Sequence, residues 1–209
     1  MLNTGTLDAS ANGNTVNYYK AGDQLIKTPT ANTYYNLTLS GTDIKTLTDN
    51  IIIDGNLTIS GVTFNVDMYN ISIRGNWINA GVFEEQTALV TFDGNASQTI
   101  TNALGETFYN LTINKSAGNL ILNDNITISD TLTMTTGNVN TGANIITLGT
   151  STANPGTLIY NSGTVIGKFE RWITTTAYPY LFPIGTESNY RSARATFSNI
   201  TGAGGSIIS

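Results

Sequence analysis

The sequence predicts an all-β fold: a right-handed parallel β-helix over residues 1–165, then a small antiparallel β module or cap over 166–209. Three observations predict it. Apolar residues alternate with Thr, Ser or Asn in NLTLS (36–40), YNISIRG (69–75), ALVTF (88–92) and ITISDTLTMT (126–135), the pattern of half-buried strands. Between such runs sit bend formers: Asp49–Asn50, Asp54–Gly55–Asn56, Asp93–Gly94–Asn95, Asp124–Asn125 and Gly137–Asn138. Finally, the chain repeats itself. YYNLTLS (34–40) returns 74 residues later as FYNLTIN (108–114), and self-similarity at a fixed period marks a repeat architecture.

The elements follow in order. TVNYYKAGDQLI (15–26) aligns with LVTFDGNASQTI (89–100), which sets Val16 on Val90, Gln24 on Gln98 and Ile26 on Ile100. LTDNIIIDGNLTIS (47–60) aligns with LNDNITISDTLTMT (122–135) after a shift of one residue. The two units are about 15–88 and 89–162. Strand runs recur too often for a long helix, and no apolar stripe has helical spacing. Coils of about 20–25 residues put three or four coils into each unit, and the hand follows from the crossover rule for parallel strands. Leu37, Leu39, Ile51, Ile53, Leu57, Ile59, Leu111, Ile113, Ile126, Ile128, Leu132 and Met134 are expected inside, with Thr38, Thr58, Thr112, Thr127 and Thr133 outside. Asn at equivalent bends is expected to stack in ladders. Asn36 and Asn110 are accordingly expected at equivalent positions one repeat apart.

Composition changes near residue 150. After Asn154–Pro155–Gly156 the chain turns aromatic and more charged, as in IGKFERWITTTAYPYLFPIGTESNYRSARATF (166–197). It ends in GAGGSIIS (202–209), a Gly-rich turn into an apolar strand with no partner apparent in the sequence. The opening MLNTGTLDASANG offers no obvious polar cap. It also lacks the basic start and apolar stretch of a signal peptide.

Composition narrows the function classes. Charged residues make up only 11%, far below the roughly 25% of an ordinary domain, so Asn, Thr, Ser and Gly wet the surface instead. The net charge of −5, with scattered Lys and Arg, argues against a nucleic-acid partner. With no Cys and no His, thiol chemistry, disulfides and the commonest general base are excluded. No apolar run approaches the ~18 residues of a membrane span, so membrane insertion is not expected.

FYNLTINKSAGNLILNDNITISDTLTMTTGNVNTGANIITLG (108–149) resembles repeats in large secreted surface proteins of Bacteroidetes and related bacteria. GTVIGKFERWITTTAYPYLFPIGTESNYRSARATF (163–197) resembles the module that often follows them. The resemblance covers nearly the whole chain and carries no catalytic motif. It implies export, often by the type IX route, an extracellular or cell-surface location, and a modular adhesive or structural protein.

Candidate sites are few. Lys45, Asp49 and Asp54 supply the groups of a polysaccharide-lyase centre, but Asp at a bend more simply caps it through an Asx turn. Lys45 has no basic counterpart in the second unit. Glu84–Glu85 and the Asp–Asn bends are the only candidates for Ca²⁺, and neither an EF-hand nor a β-roll nonapeptide occurs. Asn36, Asn56, Asn70, Asn95, Asn110, Asn114, Asn125 and Asn199 each begin an N-x-S/T triplet, which strand alternation after an Asn bend writes by itself. Thr rows suitable for ice are interrupted. Of the pairs Tyr18–Tyr19, Tyr34–Tyr35 and Phe108–Tyr109, alternation turns one member of each inward; the others are candidates for stacking on sugars. Trp77 and Trp172 stand alone.

The expectation is a non-enzymatic extracellular structural protein, a rigid β-solenoid segment of a bacterial surface protein or filament, with no catalytic, cofactor or metal site. A carbohydrate-binding adhesin module is the second reading and a lyase-like enzyme the third. Copies are expected to associate head-to-tail through Gly205, Ser206, Ile207, Ile208 and Ser209, because a lone exposed strand recruits a partner; surface glycans are the other candidate partner.

Overall fold

The computed structural model describes residues 5–174, 179–200 and 204–209; residues 1–4 of the opening segment and 175–178 of the aromatic stretch lie outside these. The chain winds into a parallel β-solenoid of about seven turns, with 56% of residues in strands and 2% in helix. Each coil crosses three faces in a fixed order. The first face stacks Thr15–Tyr18, Asn36–Leu39, Leu57–Ile59, Trp77–Asn79 and Gln98–Thr101, and continues through 120–122, 138–140 and 165–166. The second stacks Gln24–Ile26, Ile44–Leu47, Thr63–Asn65 and Val82–Glu84; 106–108 and 126–128 take this place in later coils. The third stacks Thr33–Tyr34, Ile51–Ile53, Ile71–Ile73, Leu89–Phe92, 110–113, 131–134 and Thr157–Tyr160.

The inside–outside pattern follows from strand alternation. All twelve residues expected inside are buried, none more than 3% exposed, while Thr38, Thr58, Thr112, Thr127 and Thr133 alternate with them and are half-buried on the outer surface. Each fully buried Leu or Ile contributes about 1.5–3 kcal/mol, and the stack makes one continuous core. Coil corners are tight. A Cβ on Gly75 would lie 2.2 Å from the Gly55 carbonyl oxygen of the coil before, so only glycine lets these backbones meet.

Asparagine ladders tie coil to coil. Asn36 Oδ1 accepts the Asn56 N–H at 2.8 Å, Asn56 Oδ1 accepts that of Asn76 at 2.8 Å, and Asn76 Oδ1 accepts that of Thr99 at 2.9 Å. A second ladder runs from Asn50 through Asn70 to the Leu89 N–H, each bond 2.8 Å. These bonds satisfy N–H groups that a bend would otherwise leave without a protein acceptor.

One expectation is corrected. Asn36 begins a strand of the first face, but Asn110 lies on the third, paired with Leu89 and Thr131. A coil advances by about 20 residues, as the spacing of the Asn ladder shows, and 74 is not a multiple of that. From 36–39 to 110–113 the chain crosses eleven faces, three full coils and two faces more.

The two ends differ. Val165–Ile173 lies parallel on the preceding coil, and its other edge takes Gly205–Ile208 antiparallel, with Glu170 opposite Ile208 and Ile173 opposite Gly205. The last strand therefore has a partner within the chain, contrary to expectation. The sequence hides it because Trp172 and Ile173 stand more than thirty residues upstream. Tyr180–Phe182 pairs antiparallel with Ala193–Ala195 and packs on this end through Phe169–Phe182, 5.9 Å between centroids. At the start, Leu7 O and Ala9 O accept the N–H groups of Thr30 (2.7 Å) and Tyr35 (2.8 Å), so residues 7–9 cover the third face. The Tyr18 and Tyr34 hydroxyls bond each other at 3.0 Å and engage the Lys27 backbone. This is a polar closure that the small-residue composition of the opening segment did not suggest. Thr15–Tyr18 and Gln24–Ile26 each pair on one side only among the described residues.

Candidate functional site

Alternation carries polar side chains into the interior, and among them Lys45, Gln98, Glu106 and Lys115 find their partners there. Lys45 stands in register between Gln24 and Phe64 on the second face and is fully buried. Its ammonium donates to three backbone carbonyls: Lys20 at 2.7 Å, Thr42 at 2.8 Å and Gly22 at 2.9 Å. Desolvation lowers its pKa, and Asp43 and Asp23 pull it back in part. Lys115 repeats the device at another corner. It donates to Ala96 O and Gln98 Oε1 at 2.7 Å each and to Gly94 O at 3.2 Å. Burial pushes it down to about 8 against the pull of Asp93, so it remains a cation at neutral pH. The second unit does therefore hold a basic counterpart to Lys45, though not at the aligned position.

Gln98 completes the Lys115 corner. Its amide donates to Gly75 O at 2.6 Å and Ile73 O at 3.0 Å, while Oε1 also accepts the Gly94 N–H at 2.9 Å. Glu106 is 5% exposed. Its Oε2 accepts from Trp77 Nε1 at 2.7 Å and Asn79 Nδ2 at 2.9 Å. Desolvation raises its pKa, opposed by those two hydrogen bonds. Trp77 packs edge-on against Phe83 (4.8 Å) and Phe108 (5.2 Å). Trp77 is thus the centre of an aromatic cluster, and its lone place in the sequence gave no hint of that. Glu106 was legible, since it stands two residues before Phe108 in an alternating run.

The lyase constellation does not assemble. Lys45 spends its three protons on carbonyls inside the core. Asp49 accepts the Asn50 N–H at 2.7 Å in its own bend, and Asp54 pairs with Arg74. Glu84 and Glu85 are half-buried, and no group of three or more Asp or Glu converges as metal ligands among the described residues. Of the N-x-S/T residues, Asn36, Asn56, Asn70 and Asn125 all give Oδ1 to a neighbouring coil. Tyr34 and Phe108 are buried and Tyr18 half-buried, and their neighbours face outward, Tyr19 most fully at 72% exposed.

The outer third face carries a groove of about 500 Å³ beside the 3₁₀ turn Thr30–Asn32. Asn50 and Asn70 edge it, and Ile52, Ser72 and Thr91, in register on successive coils, form its floor. Two residues further along the chain from each stand Asp54, Arg74 and Asp93. Arg74 binds Asp54 through Nη1 and lies 3.7 Å from Asp93 through Nε, and Ser72 Oγ donates to Asp93 Oδ2 at 3.0 Å. Arrangement in two three-residue rows, with Asn50 and Asn70 beside them on the first two coils, is a product of stacking that no local motif encodes. The chain matches no family model, no curated protein and no solved structure.

Proposed function

We propose that this chain is a non-enzymatic, extracellular structural segment: a stiff solenoid rod in a bacterial surface protein or filament. One observation carries the reading. Every coil is bonded to the next by backbone ladders on its faces and by Asn side chains at its corners, so load along the axis is shared over many bonds at once. The buried Lys, Gln and Glu side chains support this, since their polar groups are committed to holding corners. The bacterial, exported setting rests on the resemblance of 108–149 and 163–197 to surface-protein repeats.

Rods of this kind lengthen by joining ends. Thr15–Tyr18 and Gln24–Ile26 present one unpaired edge each, and Gly205–Ile208 has no strand on its outer side among the described residues. Open edges accept strands, and joining these ends gives a heterologous, head-to-tail contact that includes Gly205–Ser209. Sedimentation velocity of the intact chain at micromolar concentration tests it. Concentration-dependent association, abolished by Ile208→Lys at the exposed end of the strand, is expected. A monomer at every concentration overturns end-to-end joining.

A further inference from the structure

We propose that the outer third face binds an extended, neutral polysaccharide laid along the solenoid axis. This inference does not rest on the rod reading. Its first support is the state of the amides. Asn50 and Asn70 have each given one Oδ1 lone pair to a backbone N–H of the next coil, which orients each exposed amide so that its NH₂ and the second lone pair remain for a ligand. Beside them runs the Ile52–Ser72–Thr91 row. Ile52 offers an apolar surface to the C–H face of a sugar. The Thr91 hydroxyl makes no bond among the described residues, and Ser72 is oriented by Asp93 and keeps its acceptor lone pairs. The second row, Asp54–Arg74–Asp93, adds acceptors and a donor fork for vicinal hydroxyls.

Spacing is the second support. Coils stack at about 4.8 Å, and the sugars of an extended β-linked glycan repeat at nearly that distance. One sugar therefore falls on one coil, and each of the three coils offers it a polar group: the Asn50 amide, the Asn70 amide with the Ser72 hydroxyl, and the Thr91 hydroxyl. Charge supplies the third. The ionic row holds two carboxylates to one guanidinium, and the whole chain carries −5; a polyanion would be repelled. The wall of the groove is preformed as well: Ala31 and Asn32 hold left-handed backbone at φ 55° and 56°, which non-glycine residues adopt only where surroundings enforce it.

Affinity electrophoresis of the full chain through gels containing glucomannan, xyloglucan, mixed-linkage β-glucan or polygalacturonate tests the proposal. Thr91→Tyr and Ile52→Lys fill the groove without touching an Asn ladder, and two variants guard against one failing to fold. Thr58→Tyr makes a matching change on the outer first face. Expected are retardation of the native chain and of Thr58→Tyr by at least one neutral glycan, at least tenfold weaker binding by a folded groove variant, and no retardation by polygalacturonate. No retardation by any of the three neutral glycans overturns the proposal, as does stronger retardation by polygalacturonate or equal binding by native chain and groove variants. If the groove variants instead abolish self-association seen without glycan, the face is an interface between copies and the proposal fails.

Discussion

Residues 36–39 and 110–113 differ by one methyl position, Leu39 against Ile113, yet they lie on different faces of the solenoid. The displacement is consistent along the whole repeat. Thr15–Tyr18 is on the first face and its counterpart Leu89–Phe92 on the third; Gln24–Ile26 is on the second and Gln98–Thr101 on the first. Ile51–Ile53 is on the third and 126–128 on the second. The second copy is the first rotated by one face. All three faces demand the same thing, apolar residues inward at period two between bends, so a strand sequence suits any of them. What differs is the surroundings. Seventy-four residues before Glu106 and Lys115 stand Asn32 and Gly41, both in turns. The buried Glu106 and Lys115 of the second copy have no buried polar residue at the aligned positions of the first, whose own interior cation, Lys45, aligns with Asn119.

If the faces are equivalent for packing, Leu37→Ala and Leu111→Ala should cost the same, about 2–5 kcal/mol each, as buried Leu truncations do. Both are fully buried. Urea unfolding of the two variants measures this, and a difference larger than the loss itself would break the equivalence.

The ladders should separate the copies. Asn36 bonds the coil after it through Oδ1 and Thr15 through Nδ2 at 3.2 Å, whereas Asn110 makes a single side-chain bond, from Nδ2 to Thr87 O at 3.4 Å. Asn36→Ala should cost about 1–2 kcal/mol and Asn110→Ala about 0.5 or less. Thermal melts of the pair would settle the order; the reverse order would remove the ladder as a source of stability.

The buried carboxyl sharpens the contrast through pH. Glu106 holds its proton to higher pH folded than unfolded, because burial raises its pKa. Its contribution to stability is then full below about pH 4.3 and is lost as pH rises through the raised value. Glu106→Gln should gain on the native chain as pH rises from about 4 to about 7. Asn32→Asp, at the aligned turn position of the first copy, should show no such trend. Parallel melting curves over this range for Glu106→Gln and the native chain would mean that the carboxyl is not sealed.

Smallest are the outward threonines. Thr38→Ser and Thr112→Ser should each cost under ~1 kcal/mol, far below the neighbouring Leu truncations. A melting shift as large as that of Leu111→Ala would refute the inside–outside assignment.

By itself the sequence determined the strand class, the coil length and the burial of each alternating position, because period-two patterning and Gly, Asn and Asp bends act locally. Glu106, Lys115 and Gln98 hold inward positions of the same alternation, but their polar identities mask it in the sequence. Only the tertiary structure decided which strands stack. A coil of about 20 residues is set by how much chain closes around the core, and the 74-residue repeat does not divide by it. From that mismatch comes the rotation of the second copy; from the stacking itself come the aligned rows of the third face and the carbonyl cages around Lys45 and Lys115. Each brings together residues a coil apart, a relation that exists only once backbone stacking has fixed the register.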